Sequence, residues 1–134
     1  MINTKTYGLT HLAIAVQDVR RTKEFYHLVF DMEIMYDMDG FVQMTTPGCH
    51  DILVFEENKN PSIGVTGGIA HFGFRLRGAD GIHEMVKKII SAGGKIVDQG
   101  EFVKGSPYVF FKDPDGYDVE VWYELLPESE KNFP

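Results

Sequence analysis

The chain is a repeat, and this constrains its fold more than any other feature. The segment GLTHLAIAV, Gly8 to Val16, lies over GIAHFGFRL, Gly68 to Leu76, placing Gly8 on Gly68 and His11 on His71. Further along, FVQMTTPGCHDILVFEE, Phe41 to Glu57, lies without a gap over YVFFKDPDGYDVEVWYE, Tyr108 to Glu124. Val42, Pro47, Asp51, Val54 and Glu57 then meet Val109, Pro114, Asp118, Val121 and Glu124. Self-similarity of this kind marks a supersecondary unit that buries its apolar face against its own copy.

Between the matched ends of each copy lies one helical stretch. Asp18 is the expected N-cap of a helix carrying Val19, Phe25, Tyr26, Val29 and Phe30 at helical spacing. In the second copy Asp80 precedes Ile82, Met85, Val86, Ile89 and Ile90, and Gly93-Gly94 supplies a left-handed stop. Asp39-Gly40 and the DPDG at Asp113 to Gly116 mark tight turns between strands. Each copy therefore reads β-α-β-β-β. The expected fold is α+β: one domain of two βαβββ modules, residues 8–57 and 68–124, joined by a polar linker over 58–67. The terminal PESEKNFP is expected to fray.

A chain of 134 residues with 43% hydrophobic content suits a single core. Thirteen basic against twenty acidic residues give a formal charge of −7, with no run of Lys and Arg to neutralise successive phosphates, which argues against nucleic acid as a partner. No apolar run reaches bilayer length and the first residues lack a secretory pattern, so no membrane association and a cytoplasmic location are expected. Cys49 is the sole cysteine and is read as inert.

Strand alternation puts His11, Ala13 and Ala15 on one face and Leu12, Ile14 and Val16 on the other. The second copy sets His71, Gly73 and Arg75 opposite Phe72, Phe74 and Leu76. The bulky faces are expected to pack on the helices, leaving each histidine among small neighbours on a cavity wall. Glu120 sits in the apolar run VEVWY, where a carboxylate needs water or a cation as its partner. The ungapped overlay places Leu53 opposite it in the repeat, so four equivalent positions are His11, Leu53, His71 and Glu120, three of them metal ligands by type. Two imidazoles and one carboxylate suit Zn, Fe, Mn, Co or Ni.

These residues resemble the vicinal-oxygen-chelate superfamily of glyoxalases, bleomycin resistance proteins and extradiol dioxygenases. The resemblance is carried by THLAIAV with EFYHLVFDM, GIAHFGFRL, AGGKI and DPDGYDVEV. It implies paired βαβββ modules in a curved mixed sheet, helices outside, around one divalent metal held by His11, His71 and Glu120. Glyoxalase-type members place a fourth ligand where Leu53 stands here, so the resemblance favours branches with three ligands. Extradiol members carry a His and a Tyr before the DPxG turn. Here the segment EFVKGSPYVFFKDP leading into that turn holds no His and Phe110 takes the Tyr position, which leaves Tyr108, in another register, as the acid-base candidate beside Glu120. Small members pair modules between chains, implying a homodimer in which His11 meets His71 and Glu120 of the partner subunit.

Arg75 is a candidate for binding an anionic group, against the reading of a solvated strand end. Phe55, Phe110 and Trp122 are candidates for stacking on a substrate, against the reading of plain core. His27 and His83 are expected to face water, and Met32, Met35, Met38 and Met44 to pack. The expected function is a metal-dependent enzyme, dioxygenase-like or glyoxalase/lyase-like, binding a small substrate through vicinal oxygens. The alternative is a metal-free protein that sequesters a ligand, of the bleomycin-resistance type.

Overall fold

The computed structural model describes residues 2–65 and 67–125, so the expectation for the terminal segment, residues 127–134, lies outside the described residues. The first module runs β1 (Leu12–Val16), α1 (Val19–Phe30), β2 (Glu33–Met38), β3 (Phe41–Thr45) and β4 (Leu53–Glu57). The second runs β5 (Phe72–Arg75), a 3-10 turn (Ala79–Gly81), α2 (Ile82–Ser91), β6 (Lys95–Glu101), β7 (Pro107–Lys112) and β8 (Asp118–Trp122). Each module forms one mixed four-stranded sheet, ordered β1-β4-β3-β2 and β5-β8-β7-β6. In each, the first and last strands pair in parallel and the rest antiparallel. This is the α+β architecture expected from the repeat. No helix among the described residues is long and apolar enough to cross a membrane.

Asp18 caps α1 as expected, its Oδ1 accepting from the Arg20 and Arg21 amides at 2.9 and 3.3 Å. The helix ends on Asp31, which adopts a left-handed φ of 58° where glycine is the usual residue. The second helix differs from expectation. Asp80 lies inside the 3-10 turn, and α2 starts from Gly81 with no side-chain cap. Its other end follows the sequence: Gly93 takes φ 98° and the Gly94 amide donates to the Ile89 carbonyl at 2.8 Å.

One core joins both modules. Ile14, Val42, Met44 and Phe55 of the first sheet and Val109, Phe111, Val119 and Val121 of the second all turn inward, against α1 and Ile89 of α2. Helix α1 serves both sheets: Tyr26 lies 5.0 Å from Phe55, while Phe30 stacks on Phe74 at 3.7 Å. Met32 and Met44 pack in this core, but Met35 and Met38 do not; they lie on β2, every residue of which is exposed.

Polar contacts reinforce the union. The DPDG turn of the second module presses against the start of α1, where Asp115 Oδ1 accepts from the Gln17 amide at 2.8 Å and from Arg21 at 3.1 Å. The linker closes over the same turn. Gly64, at φ 84°, approaches so closely that a Cβ there would fall 2.4 Å from the Asp115 carbonyl oxygen.

Candidate functional site

With the apolar faces committed to the helices, the opposite faces of the sheets are left for chemistry. On the second sheet, cross-strand register sets Gly73, Glu120, Phe110 and Asp98 in one row and Arg75, Trp122, Tyr108 and Gly100 in the next. His71, immediately before β5, reaches the first row. Its Nε2 lies 3.7 Å from Glu120 Oε1, and its ring stands edge-on to Phe110 at 5.2 Å.

Gly73 makes room for this pair. A Cβ at that position would come within 3.1 Å of the Glu120 carbonyl oxygen and 3.3 Å of its Cβ. The Glu120 side chain is 12% exposed, and among the described residues no donor lies within hydrogen-bonding distance of its carboxylate. Loss of water raises its pKa above the ordinary glutamate value, and His71 opposes the shift. A desolvated carboxylate beside an imidazole is a pair that can hold a metal ion, since both groups are ligands of first-row divalent metals.

His11 does not join the pair within one chain. It precedes β1 of the other sheet, exposed, with Nδ1 3.0 Å from Thr10 Oγ1. Among the described residues no three His, Cys, Asp or Glu side chains converge as a metal-holding group. The chain thus brings together two of the three expected ligands.

Register corrects the position expected for a fourth. Val42 stands opposite Phe55, thirteen residues on, whereas Val109 stands opposite Val121, twelve residues on. The extra residue lies in the turn of the first hairpin, so an ungapped overlay slips by one beyond it and every later side chain changes face. Ala13, Val54 and Gln43 form the row that corresponds to Gly73, Glu120 and Phe110. The counterpart of Glu120 is Val54, and Leu53 belongs to the core. Phe55 is corrected for the same reason: fully buried beside Tyr26, it packs the interior and does not face Glu120.

The other candidates share the face of Glu120. The Tyr108 hydroxyl donates to Asp98 Oδ2 at 3.1 Å, a bond that, with lesser contributions from desolvation and from the charges of Asp98 and Glu120, raises its pKa and keeps the phenol protonated. Arg75 pairs with Glu124 at 3.1 Å and lies over Trp122, 5.3 Å from the ring. Trp122 and Phe110 flank Tyr108. The sequence reading missed Phe102, which stacks on Tyr108 at 4.3 Å and meets Trp122 edge-on at 6.1 Å. It follows β6 in a loop, where no alternation could have assigned it a face.

The family model for the Glyoxalase/Bleomycin resistance protein/Dioxygenase superfamily matches residues 8–121. No curated protein matches the chain. Among solved structures, fosfomycin resistance protein FosX from Listeria monocytogenes, complexed with Mn(II) and sulfate, is 19% identical with a TM-score of 0.76, covering 97% of this chain and 100% of that one. FosX from Mesorhizobium loti is 15% identical with a TM-score of 0.74, covering 93% and 98%. A glyoxalase/bleomycin resistance protein/dioxygenase family enzyme from Burkholderia phytofirmans PsJN is 15% identical with a TM-score of 0.74, covering 87% and 98%. At such identities the likeness is one of fold.

Proposed function

Because the chain belongs to the glyoxalase/bleomycin resistance protein/dioxygenase superfamily, we propose that it is a divalent-metal-dependent enzyme acting on a small molecule through two adjacent oxygens. The approach of His71 Nε2 to Glu120 Oε1, 3.7 Å across a face cleared by Gly73, carries this reading. A structural relative complexed with Mn(II) supports a divalent ion. The third ligand is His11 of the partner subunit, in a homodimer whose sites lie between chains. The ion, when bound, polarises a carbonyl or stabilises a developing oxyanion.

The chain's own side chains supply the rest. Glu120 and His71 would hold the ion, and Val54 leaves the corresponding position of the first module without a ligand, which would leave coordination to substrate oxygens. The Tyr108 phenol holds a proton on this face, oriented by Asp98, and is the acid for a proton delivered to substrate. The rings of Phe110 and Trp122 border the reacting face and exclude water from it. With three ligands and no carboxylate at Val54, oxygen-dependent or addition chemistry is favoured over isomerisation.

Elemental analysis of protein purified without added metal tests the reading, alongside His71→Ala and Glu120→Gln. One ion per chain in the wild type, lost in both variants while the fold persists by circular dichroism, is expected. Full metal retention in both variants overturns it. Oxygen uptake with a catechol, compared with hemithioacetal isomerisation and epoxide opening, then separates the reaction classes.

A further inference from the structure

The open face of the first sheet, opposite the core, is poor in polar groups. Strands β1, β3 and β4 place only three polar side chains on it: Gln43, Thr45 and Glu56. Thr45 is committed, its Oγ1 donating to the Asp51 carbonyl at 2.7 Å. Glu56 is exposed and stands level with Ala15 and Phe41, one row farther from His11 than Gln43. Gln43 is half-buried, and its neighbours in the row are Ala13 and Val54, neither of which has a side chain that can bond an amide. Tyr36, opposite it on β2, sets its ring edge-on to Phe41 at 6.2 Å. Among the described residues no hydrogen bond reaches the Gln43 side chain.

The duplication says where this amide stands. Gln43 corresponds to Phe110, each being the β-strand neighbour of the residue in the Glu120 position. Phe110 meets His71 at 5.2 Å, so the equivalent place in the first module borders His11. A carboxamide there offers two N–H donors and no charge, and so adds a hydrogen bond to the site without altering the balance between ligands and ion. Fixed amide donors of this kind act most strongly on oxygens that gain negative charge. Val54 supplies no polar atom to the row, which leaves that task to Gln43.

We infer that Gln43 is a substrate-contacting residue whose amide donates to an oxyanion of the ligand, entering the shared site from the chain that supplies His11. The inference rests on the metal and homodimer reading above, and adds to it a donor from the first module that leaves the coordination of the ion unchanged.

The full-length protein is loaded with Zn(II) and titrated calorimetrically with acetohydroxamate, a small molecule that presents adjacent oxygens, in the wild type, Gln43→Leu and Gln43→Glu. Undiminished Zn(II) in both variants is expected, with saturable acetohydroxamate binding whose affinity falls roughly ten- to a hundredfold in Gln43→Leu, the range of a hydrogen bond to a charged acceptor. Affinity in Gln43→Glu should fall at least as far, because its carboxylate repels the same oxyanion. Loaded wild type that fails to bind acetohydroxamate, or binds it no better than Gln43→Leu, overturns the inference and leaves the metal reading standing. Loss of Zn(II) in Gln43→Leu overturns it too, by making Gln43 a ligand of the ion. Wild type that takes up no Zn(II) overturns both readings.

Discussion

Tyr26 and Asp113 lie 87 residues apart and meet across the two modules, the phenol donating to Asp113 Oδ2 at 2.8 Å. Asp113 Oδ1 in turn accepts from the amides of Asp115 and Tyr117 at 2.9 and 3.0 Å, which sets the DPDG turn that docks on α1. Burial pushes the Asp113 carboxyl up to about 6, despite the lowering effect of these hydrogen bonds.

Stability should therefore depend on pH through Asp113. Its folded pKa of about 6 exceeds the ordinary 3.8, so the folded state takes up the proton more readily than the unfolded chain. The contribution is fully present below pH 3.8 and is lost as pH rises through about 6. Asp113→Asn does not titrate and should gain on the wild type across that window, by ~3 kcal/mol at the upper limit. Urea unfolding of both proteins at pH 4.5, 6 and 7.5 measures the difference, and a constant gap would refute the assignment.

The partner hydroxyl matters by a separate route. Tyr26→Phe leaves Asp113 Oδ2 buried without its donor, and should destabilise the fold by about 1–3 kcal/mol at neutral pH. Asp115→Ala removes the acceptor for the Gln17 amide and Arg21, with a loss of similar size. Thermal unfolding with the metal content held constant separates these losses from effects on the site.

A site shared between subunits predicts recovery on mixing. Neither His11→Ala nor His71→Ala homodimers can hold a full ligand set. A mixed dimer has one intact site, formed by His71 and Glu120 of the first variant with His11 of the second. Statistical exchange after mild unfolding should restore about a quarter of the wild-type metal. No recovery, with exchange verified by differently tagged chains, would show that ligands are not shared.

The register of β4 predicts opposite outcomes at adjacent positions. Leu53→Glu buries a charge in the core and should cost at least about 3 kcal/mol, with no help from metal. Val54 is also buried but faces the other way, in the row that corresponds to Glu120, so Val54→Glu should cost stability without metal and raise both metal affinity and the metal-induced shift in Tm. If Leu53→Glu binds metal more tightly and Val54→Glu does not, the register assigned here is wrong.

The doubled unit, the strand order within each copy and the faces of β5 and β8 were legible because alternation and duplication are local properties of the chain. His71 and Glu120 were found by that logic, and their neighbourhood depends on parity alone. Leu53 and Phe55 were misplaced by one extra residue in a turn, which alternation cannot detect once it has reset. The helix start at Gly81 escaped for a different reason: Asp80 had the residue type of a cap, but the 3-10 turn drew it into the helical path. Contacts across the modules, such as Tyr26 with Asp113, carry no sequence signature and depend on how α1 settles between two sheets. Met35 and Met38 lie exposed on β2, and hydrophobicity alone does not reveal whether an edge strand is covered.

The stacking of Phe30 on Phe74 means that neither half of the duplication keeps its interior to itself. A chain nicked between Asn58 and Gly67 would leave fragments that each expose a ring meant for the other, so the pieces should cling together without a covalent tether. Expressed separately and fused to two inert carriers, they would serve as a proximity reporter whose signal is the re-formed interior.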